Sequence, residues 1–412
     1  MKSFRTLDDA AVNGKKVLVR VDFNVPMHDG EVADVSRIKR NMPTITEIAD
    51  RGGKVILLSH YGRPQGRDAK ESLKPVVAAV ARIIGQPIAF AEDCIGVVAD
   101  RAVAAMKEGD ILCLENTRFH KGEEQNDRDF AARLARLGDI FVDDAFSVAH
   151  RAHASVEAIG HLLPVYAGRA MQEELQALER ALHSPERPVT AIVGGAKIST
   201  KLELLGNLMM HVETLVIGGG MANTFLAAQG KPVGKSLCEP DLLPTARGIL
   251  AKAKSLQRDI VLPVDVVVAP IFAAHAASRV VSVDDVGADD MILDIGPRSI
   301  EQVISVLARS KTLVWNGPFG AFEHEPFDTG TVEVAEAAAE LTADGRLVSI
   351  AGGGDTMAAL NLAGVTDRFT YVSTAGGAFL EWLEGKALPG VEVLKVCSHP
   401  GTVRTEDGRS RC

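Results

Sequence analysis

The sequence lacks the signals of several protein classes. Its 412 residues contain five cysteines (Cys94, Cys113, Cys238, Cys397 and Cys412) and no C-x-x-C pair, so neither a disulfide framework nor a structural zinc site is indicated. No apolar run approaches the roughly 18 residues of a membrane span. The first residues, MKSFRTLDDA, lack the apolar stretch of a signal peptide. These absences predict a protein of the reducing cytoplasm.

Positive charge is also scarce. The chain has 45 Lys and Arg against 54 Asp and Glu, a net charge of −9, which gives no general support for a nucleic-acid partner. Any anionic ligand must therefore be held by local basic residues. The composition, 46% hydrophobic and 24% charged, is that of a globular protein, and the length predicts two domains of about 150–200 residues.

Short apolar, β-branched runs recur along the chain. Their nearly continuous hydrophobicity is typical of strands buried on both faces of a parallel sheet. Helical patterns such as Ala131–Leu137 and Val332–Leu341 lie between them, and this alternation predicts an α/β fold of doubly wound, Rossmann-like parallel sheets. The predicted strands are Lys16–Val21, Lys54–Ser59, Ile111–Glu115, Asp139–Asp143, Val189–Gly194, Thr214–Gly218, Ile260–Val268, Thr312–Asn316 and Leu347–Ala351.

One helix is expected to join two such sheets. An apolar stripe runs from Met171 to Leu182 at helical spacing, and Pro164 and Pro185 bracket the segment. A new α/β series lies on either side, which favours a bridge between domains; the alternative is an ordinary helix inside one large sheet. We predict an N-terminal domain over residues 1–168, a helix and hinge over 169–186, a C-terminal domain over 187–380, and a segment over 381–412 with a polar tail.

Arginine recurs after the predicted strands of the first half. In open parallel sheets, ligands bind beyond the carboxyl ends of the strands, and the planar guanidinium suits bidentate binding of phosphate or carboxylate. A single loop arginine is more often a solvated charge, so the recurrence after four strands is what predicts an anion site. The segments are Arg20–Pro26, Ser59–Pro64, Glu115–His120, Asp143–Phe146 and His150–His153, with Arg37 before a helical segment.

Glycine recurs after the strands of the second half. Glycine lets the backbone approach a phosphate, and a helix that begins just after it presents free N–H groups. Lys197 and Lys201 lie one helical turn apart, and Asp355, beside Thr356, is the best-placed carboxylate for Mg²⁺. One Gly-Gly pair can equally serve tight packing, but five such loops predict a nucleotide-phosphate site. They are Gly194–Lys201, Gly218–Met221, Asn316–Gly320, Gly352–Thr356 and Ser373–Ala378.

Three familiar signatures are missing from these loops. There is no P-loop, no dinucleotide G-x-G-x-x-G, and no segment that resembles the catalytic base of a kinase. A hydroxyl acceptor usually needs a proton removed, whereas a carboxylate is already ionised at pH 7. The two halves therefore predict phosphoryl transfer by positioning and charge neutralisation, with an acyl phosphate as donor or product.

The ordered motifs resemble those of the phosphoglycerate kinase family from about residue 4 to residue 393. The resemblance implies reversible transfer of the acyl phosphate of 1,3-bisphosphoglycerate to Mg-ADP, giving 3-phosphoglycerate and ATP, in glycolysis or gluconeogenesis. It also implies a monomer with hinge closure, small-molecule substrates, no nucleic-acid or membrane partner, and a chain end that returns to the first domain. The motifs are VLVRVDFNVP, SHYGRP, LENTRFHKGEE, DDAFSVAHRAHAS, GGAKIST, GGGMANTF, LPVDVVVA, WNGPFGAFE, GGGDT and STAGGAFLEWLEGKALPGV.

The resemblance also implies site residues. For a phosphoglycerate site they are Asp22, Phe23, Asn24, Arg37, His60, Tyr61, Gly62, Arg63, Arg118 and Arg151. For a nucleotide site they are Gly195, Lys201, Asn316, Glu323 (on the ribose), Gly353, Gly354, Asp355 and Thr356, with Asp355 holding Mg²⁺ as cofactor of ATP or ADP. The groups expected to stabilise the transferring phosphoryl are Arg37, Lys197 and the helix start at Gly376 and Gly377.

Five positions depart from the family pattern. Asp143 replaces a usual Asn, Ser147 a Gly and Tyr61 a Leu, while Ala375 interrupts a triple glycine and Phe379 replaces a small polar residue. These changes bear on the fine geometry of transfer and not on the reaction class, because the Arg, Lys and Asp positions are intact.

The tail after about residue 394 is longer than the family pattern. Its two cysteines, Cys397 and Cys412, are expected to be unpaired thiols, with a redox switch as the alternative. Two rival functions are another carboxylate kinase with a related cleft and a catalytically silent nucleotide-binding scaffold. The presence of Arg37, Lys197 and Asp355 favours an active enzyme.

Overall fold

The computed structural model describes residues 4–28 and 31–395 of the chain. The chain divides into two compact units, with boundaries between Glu174 and Leu175 and between Lys386 and Ala387. The first unit therefore combines the N-terminal part with the last described residues. Within the described ranges, no helix is both long and apolar enough to cross a membrane. The tail thiols Cys397 and Cys412 lie outside the described residues.

A six-stranded sheet in which every pair is parallel forms the centre of the first unit. The strands of this unit are β1 (Lys16–Arg20), β2 (Met27–His28), β3 (Glu31–Val32), β4 (Lys54–Leu58), β5 (Ile88–Ala91), β6 (Ile111–Leu114), β7 (Ile140–Asp143) and β8 (Val165–Ala167). The order in the large sheet is β5-β6-β4-β1-β7-β8, and β2 and β3 form a separate antiparallel pair. The strands of this sheet that follow β1 in the chain first add on one side of it, beginning with β4, and later on its other side, beginning with β7. The strand order therefore reverses at β1, which lies at the switch point of the sheet.

Helices cover the sheet of the first unit. They are α1 (Ser36–Asp50), α2 (Lys74–Ile84), α3 (Val97–Ala104) and α4 (Arg128–Ala135), with single 3-10 turns at Leu7–Asp9, Ala69–Glu71, Thr117–Phe119, Phe146–Val148 and Ala158–His161. The amphipathic α1 buries Ile38, Ile45 and Ile48 completely, in one core with Val17 and Val19 of β1. Burial of apolar side chains from both elements contributes about 1.5–3 kcal/mol for each and holds α1 against the sheet.

The predicted bridging helix is present. Helix α5 (Arg169–Leu178) continues into a π-helical turn (Glu179–His183), and Met171 and Leu178 are fully buried. Because the chain on either side enters a different six-stranded sheet, the alternative of one large sheet is wrong.

The second unit has a parallel sheet of its own and a smaller antiparallel sheet. Its strands are β9 (Val189–Val193), β10 (Thr214–Ile217), β11 (Asp259–Val261), β12 (Asp265–Ala269), β13 (Arg279–Ser282), β14 (Met291–Ile295), β15 (Thr312–Asn316), β16 (Val348–Gly352) and β17 (Tyr371–Ser373). The parallel order is β11-β10-β9-β15-β16-β17, and the antiparallel order is β13-β12-β14. The first of these is the doubly wound order of dinucleotide-binding folds, with its switch point between β9 and β15.

The helices of the second unit follow its strands. They are α6 (Leu202–His211), α7 (Gly219–Ala228), α8 (Leu243–Ser255), α9 (Pro297–Arg309), α10 (Thr329–Ala343), α11 (Gly354–Leu362) and α12 (Gly377–Leu383), with 3-10 turns at Ile198–Thr200, Pro240–Leu242 and Thr366–Arg368. The last described helix, α13 (Pro389–Glu392), belongs to the first unit. There the N–H of Gly390 donates to the carbonyl of Ala149 at 2.9 Å.

The prediction of one strand over Ile260–Val268 is wrong. The run is divided at Leu262 and Pro263 into β11 and β12, which belong to different sheets. Proline has no N–H to donate to a sheet ladder, and this break was visible in the sequence. The other predicted strands match the observed ones to within one residue at each end.

Glycines at the carboxyl edge of the second sheet let three loops meet backbone to backbone. A Cβ atom on Gly194, after β9, would lie 1.9 Å from the carbonyl oxygen of Pro318, after β15. A Cβ on Gly219, after β10, would lie 2.6 Å from the backbone of Gly195, and Gly219 has a φ of +68°. Side chains at these positions would force the loops apart.

Gly194→Ala is expected to destabilise the second unit by about 2–3 kcal/mol, because its Cβ would strike backbone that cannot rotate away. Both tryptophans, Trp315 and Trp382, lie in this unit, so urea unfolding followed by tryptophan fluorescence measures its stability. The control is Gly206→Ala in α6, where a Cβ meets nothing within 4 Å and stability should be unchanged or slightly higher. Equal midpoints for the two variants would contradict the close approach.

Candidate functional sites

The loops after β1 and β7 meet at the switch point of the first unit. Ser147 donates from its hydroxyl to Oδ2 of Asp22 at 2.6 Å, and Nη1 of Arg37 lies 3.2 Å from the same oxygen. Nη1 of Arg37 also donates to the carbonyl of Asn24 at 2.8 Å. The Asp22 carboxylate is nearly buried, whereas the Arg37 side chain is 37% exposed, so part of its guanidinium stays open to a ligand.

Hydrogen bonds join the loops after β1, β4 and β6. Asn24 accepts the N–H of Gly62 at its Oδ1, 3.0 Å away, and the carbonyl of Gly62 accepts Nη1 of Arg118 at 2.6 Å. The Asn116 amide binds both backbone groups of Tyr61, at 3.2 Å to the N–H and 2.7 Å to the carbonyl. These bonds hold segments that are far apart in sequence at one edge of the sheet.

Arginines carry the positive charge of this edge, and burial among them favours the neutral form of His60 and His153. Burial is the larger cause and the nearby charge of Arg20 the next in lowering the pKa of His60 well below 6.5. In the same way burial, followed in size by the charge of Arg118, lowers the pKa of His153 to about 3. The Arg118 side chain is only 3% exposed, and its Nη2 has no hydrogen-bond partner within the described chain. That buried donor is available to an anion.

The remaining predicted members of the first site differ in exposure. Phe23 is fully buried in the core, so its side chain cannot touch a ligand. Arg63 is exposed, and its N–H donates to Oε1 of Glu71 at 2.9 Å. Arg151 is partly buried, and its Nε donates to Nε2 of His150 at 3.3 Å.

Two residues of this edge lie in the segments that predicted the anion site but were not named as site residues. Arg20, the last residue of β1, is completely buried, and a charged residue that ends an otherwise apolar strand was the available signal. Asn116 is also buried, and its Nδ2 donates to the carbonyl of Glu71 at 2.8 Å as well as to Tyr61. Nothing in the local sequence distinguishes such an amide from one that only caps a turn.

The switch point of the second unit brings lysine, asparagine and threonine side chains together. Lys201 donates from Nζ to Oδ1 of Asn316, and Nδ2 of Asn316 donates to the carbonyl of Gly352 at 2.7 Å. The N–H of Gly317 donates to Oγ1 of Thr356 at 2.7 Å. The loops after β9, β15 and β16 are thus tied to one another.

A cavity of about 420 Å³ lies at the same edge, and its size is in the range of small-molecule sites. Its lining includes glycines such as Gly195 and Gly220, and the carboxyl groups of Asp294, Glu323 and Asp355. It also includes the apolar side chains of Leu237, Phe272, Met291 and Phe322. A ligand with an apolar ring and a charged tail fits this mixed lining.

The carboxylate of Asp355, which lines this cavity, is suited to coordinate Mg²⁺. It is exposed in the first turn of α11. Burial lowers the pKa of Lys201, while the charge of Asp355 opposes that shift, so carboxylate and ammonium lie within electrostatic reach. One carboxylate together with phosphate oxygens is a usual magnesium environment.

The groups predicted to stabilise the transferring phosphoryl also lie in the second unit, apart from Arg37. Lys197 is exposed before the turn at Ile198–Thr200. Gly376, with a φ of +55°, precedes Gly377 at the start of α12.

One further group of possible metal ligands occurs among the described residues: Asp93, Cys94 and His120 in the first unit. Nε2 of His120 lies 2.7 Å from Oδ1 of Asp93, so these groups already satisfy each other. Burial raises the pKa of the Cys94 thiol well above its usual value, which disfavours the thiolate that a metal requires. We assign no metal to this group.

Comparisons with known proteins agree across the chain. A family model described as phosphoglycerate kinase matches residues 7–386. Phosphoglycerate kinases of Bradyrhizobium diazoefficiens and Rhodopseudomonas palustris are 64% identical over 393 and 395 residues, covering 95% and 96% of this chain and 99% of each relative. The solved phosphoglycerate kinase of Coxiella burnetii has a TM-score of 0.89 at 41% identity, and that of Pyrococcus horikoshii OT3 has 0.76 at 30%. Each covers 95% of this chain and 98% of its own.

Two adjacent carboxyls end β7 beside the first site. Burial raises the pKa of both Asp143 and Asp144 to about 7. Oδ1 of Asp143 accepts the N–H of Ala145 at 3.0 Å, but its Oδ2 has no partner in the described chain. Asp144 accepts at both oxygens, from Nδ2 of Asn41 at 2.8 Å and from the N–H of Met171 at 3.1 Å.

Asp143→Asn is expected to stabilise the first unit more as the pH rises. A folded-state pKa of about 7 against 3.8 in the unfolded chain means that the native carboxyl costs stability progressively across that window. The gain should therefore grow from about pH 4 to about pH 7 and then stay constant, as measured by scanning calorimetry. Asp144→Asn is the control. Both oxygens of Asp144 accept N–H donors, so the NH₂ group of an asparagine there would face a donor and part of the gain in stability would be lost. Equal gains in stability for the two variants would contradict the finding that only Asp143 has an oxygen without a partner.

Proposed function

The chain belongs to the phosphoglycerate kinase family, and from this premise we propose how its two sites divide the reaction. It transfers the acyl phosphate of 1,3-bisphosphoglycerate to ADP reversibly, giving 3-phosphoglycerate and ATP, in glycolysis. We propose that the arginine-rich edge of the first unit binds the phosphoglycerate and that the cavity of the second unit binds the nucleotide.

One observation supports the phosphoglycerate assignment above the others: the buried, unpartnered Nη2 of Arg118. Nε of Arg118 lies 3.2 Å from Oε1 of Glu124, but a buried donor such as Nη2 without a hydrogen-bond partner still costs free energy, and an anionic ligand removes that cost. The small acceptor carries a phosphate and a carboxylate, both of which suit guanidinium groups. The proposed set is Asp22, Asn24, Arg37, His60, Tyr61, Gly62, Arg63, Arg118 and Arg151, with the buried Phe23 between Asp22 and Asn24 supporting them from the core.

The combination of apolar side chains and glycine loops in the cavity lining supports the nucleotide assignment. A base fits against Phe272 and Leu237, while the phosphates approach the glycine loops, where backbone N–H groups bind them without steric hindrance. The proposed set is Gly195, Lys201, Asn316, Glu323 (on the ribose), Gly353, Gly354, Asp355 and Thr356. Asp355 would hold Mg²⁺, which would neutralise charge on the phosphate oxygens.

Transfer then requires positioning and no proton removal. As the P–O bond to the carboxyl oxygen of 3-phosphoglycerate breaks, a new P–O bond forms to the terminal oxygen of ADP. The ADP oxygen is ionised before the transfer and the released carboxylate is ionised after it at pH 7, so no proton is gained or lost. Charge on the transferring phosphoryl needs cationic and N–H donors. We propose Arg37 and Lys197 for this role, together with the backbone at Gly376 and Gly377.

Location and assembly are part of the proposal. The free thiols Cys94, Cys113 and Cys238 are compatible with a reducing compartment, and glycolytic substrates are found in the cytoplasm. We propose a cytoplasmic monomer whose domains are residues 1–168 and 187–380, with the helix and hinge at 169–186. In this proposal residues 381–412 return toward the first domain.

Arg37→Ala should lower kcat by about 100-fold or more, because its charge acts mainly as the phosphoryl moves. The ADP dissociation constant should stay within about twofold. A coupled assay of ATP formation and a calorimetric ADP titration measure the two quantities. Arg82→Ala is the control, because Arg82 is exposed and pairs only with Glu31 in the described chain; a change in ADP affinity alone for Arg37→Ala would contradict the role.

Asp355→Asn should raise the Mg²⁺ concentration for half-maximal activity by about tenfold or more, because the amide keeps the shape but loses the charge that holds the ion. A magnesium titration of the ATP-forming reaction at saturating ADP measures this. Asp367→Asn removes an exposed carboxylate of the same unit and should leave the titration unchanged. Identical midpoints for both variants would place the ion elsewhere.

A further inference from the structure

Arg20 has a fixed guanidinium in the interior of the first unit. It is 0% exposed, and each of its three nitrogens makes a contact. Nε donates to Oγ of Ser155 at 2.9 Å, Nη1 donates to the carbonyl of Val21 at 2.5 Å, and Nη2 lies 3.1 Å from Nδ1 of His60. A planar group held at three points cannot turn away from the histidine.

The partner of Nε is anchored as well. The Ser155 hydroxyl donates to Oε1 of Glu123 at 2.6 Å, and the Ser155 N–H donates to Oε2 of the same carboxylate at 3.0 Å. Because its proton goes to Glu123, the hydroxyl oxygen can only accept from Arg20. The buried Glu123 is 0% exposed and also supplies negative charge near the buried cation.

The contact between Arg20 and His60 determines where the imidazole proton lies. An arginine side chain has five N–H donors and no acceptor, so Nδ1 of His60 must accept and therefore carries no proton. A neutral imidazole has one proton, which leaves it on Nε2. No group of the described chain makes a hydrogen bond to that nitrogen, and His60 is 4% exposed.

We propose that Arg20 is a positioning residue that holds His60 as the Nε2–H tautomer, so that His60 gives a neutral hydrogen bond to the anionic substrate. This inference rests on the proposed function for the identity of the anion, 3-phosphoglycerate. Arg20 does not touch the substrate in this account; it acts through His60.

The charged groups around His60 keep this donor neutral. They are Arg20 at the end of β1, Arg118 after β6, and Arg151 and His153 after β7, and all of them add to the effect of burial in lowering the pKa of His60. A second proton on Nδ1 would face Nη2 of Arg20. The site therefore gains a donor whose state does not change between about pH 5 and pH 8, the range in which a free histidine titrates.

The direct test is the tautomer of His60 in the unmodified, ligand-free protein. Two-dimensional ¹H–¹⁵N NMR of ¹⁵N-histidine-labelled full-length chain distinguishes the two ring nitrogens, and His60 is assigned by the signal that His60→Gln removes. We expect a proton on Nε2 and none on Nδ1 from about pH 5 to pH 8. A proton on Nδ1, or an imidazolium at pH 7, would overturn it.

Two variants of His60 test the donation itself. A glutamine amide can lie near the position of Nε2 and an asparagine amide near that of Nδ1, so His60→Gln should bind 3-phosphoglycerate about tenfold or more tightly than His60→Asn. Calorimetric titrations give both constants, and the thermal unfolding transition of each variant is the check on folding. Equal losses in the two variants would overturn donation from Nε2.

Arg20→Lys tests the positioning role. Lysine cannot reproduce the three-point contact, so a folded variant should show a mixed His60 tautomer and about tenfold weaker 3-phosphoglycerate binding, with ADP binding unchanged. An unchanged His60 tautomer in the folded variant would contradict the positioning role. If Arg20→Lys does not fold, the NMR spectrum of the native protein and the comparison of His60→Gln with His60→Asn decide the question. If the native protein fails to bind 3-phosphoglycerate, the proposed function fails, while the ligand-free tautomer still tests the Arg20 contact.

Discussion

All strands of each six-stranded sheet point the same way, and both proposed sites depend on this constraint. Parallel strands place their carboxyl ends at one edge, so segments as far apart in sequence as Asp22 and Ser147 become hydrogen-bonded neighbours. In the second unit the same arrangement brings Lys201 to Asn316. The chemistry of each unit then follows from what its loops carry: guanidinium groups in the first, and glycine backbone with Lys197 and Lys201 in the second.

Much of this arrangement could be predicted from the sequence, because its signals are local. Continuous apolar runs such as Thr312–Asn316 are long enough to form a buried strand and end where a polar or glycine loop begins. Glycine loops in turn predict close backbone approach, which the 1.9 Å separation between a Cβ on Gly194 and Pro318 makes explicit. The division into an arginine-bearing edge and a glycine-bearing edge needed no knowledge of which strands are neighbours.

Other features depend on which strands are neighbours in the sheet, and the order of strands in a sheet cannot be read from local sequence patterns. The role of Arg20 requires the side chains of His60 and Ser155, which come from other loops. The antiparallel sheet that supplies Met291 to the cavity is absent from the prediction, because no predicted strand covers β13 or β14 and the run Ile260–Val268 crosses the break at Pro263. The burial that makes His60 neutral is likewise a property of the folded edge, since the same histidine in a free loop would titrate near pH 6.5.

In the proposed function the two units hold two different ligands through separate residues. A paired calorimetric titration tests it most directly: Arg118→Met and Lys201→Met, each titrated with 3-phosphoglycerate and with Mg-ADP. The account predicts that Arg118→Met loses about tenfold or more in 3-phosphoglycerate affinity and keeps its ADP affinity, and that Lys201→Met does the reverse. Unchanged 3-phosphoglycerate binding by Arg118→Met, or a parallel loss of both ligands in either variant, would contradict it.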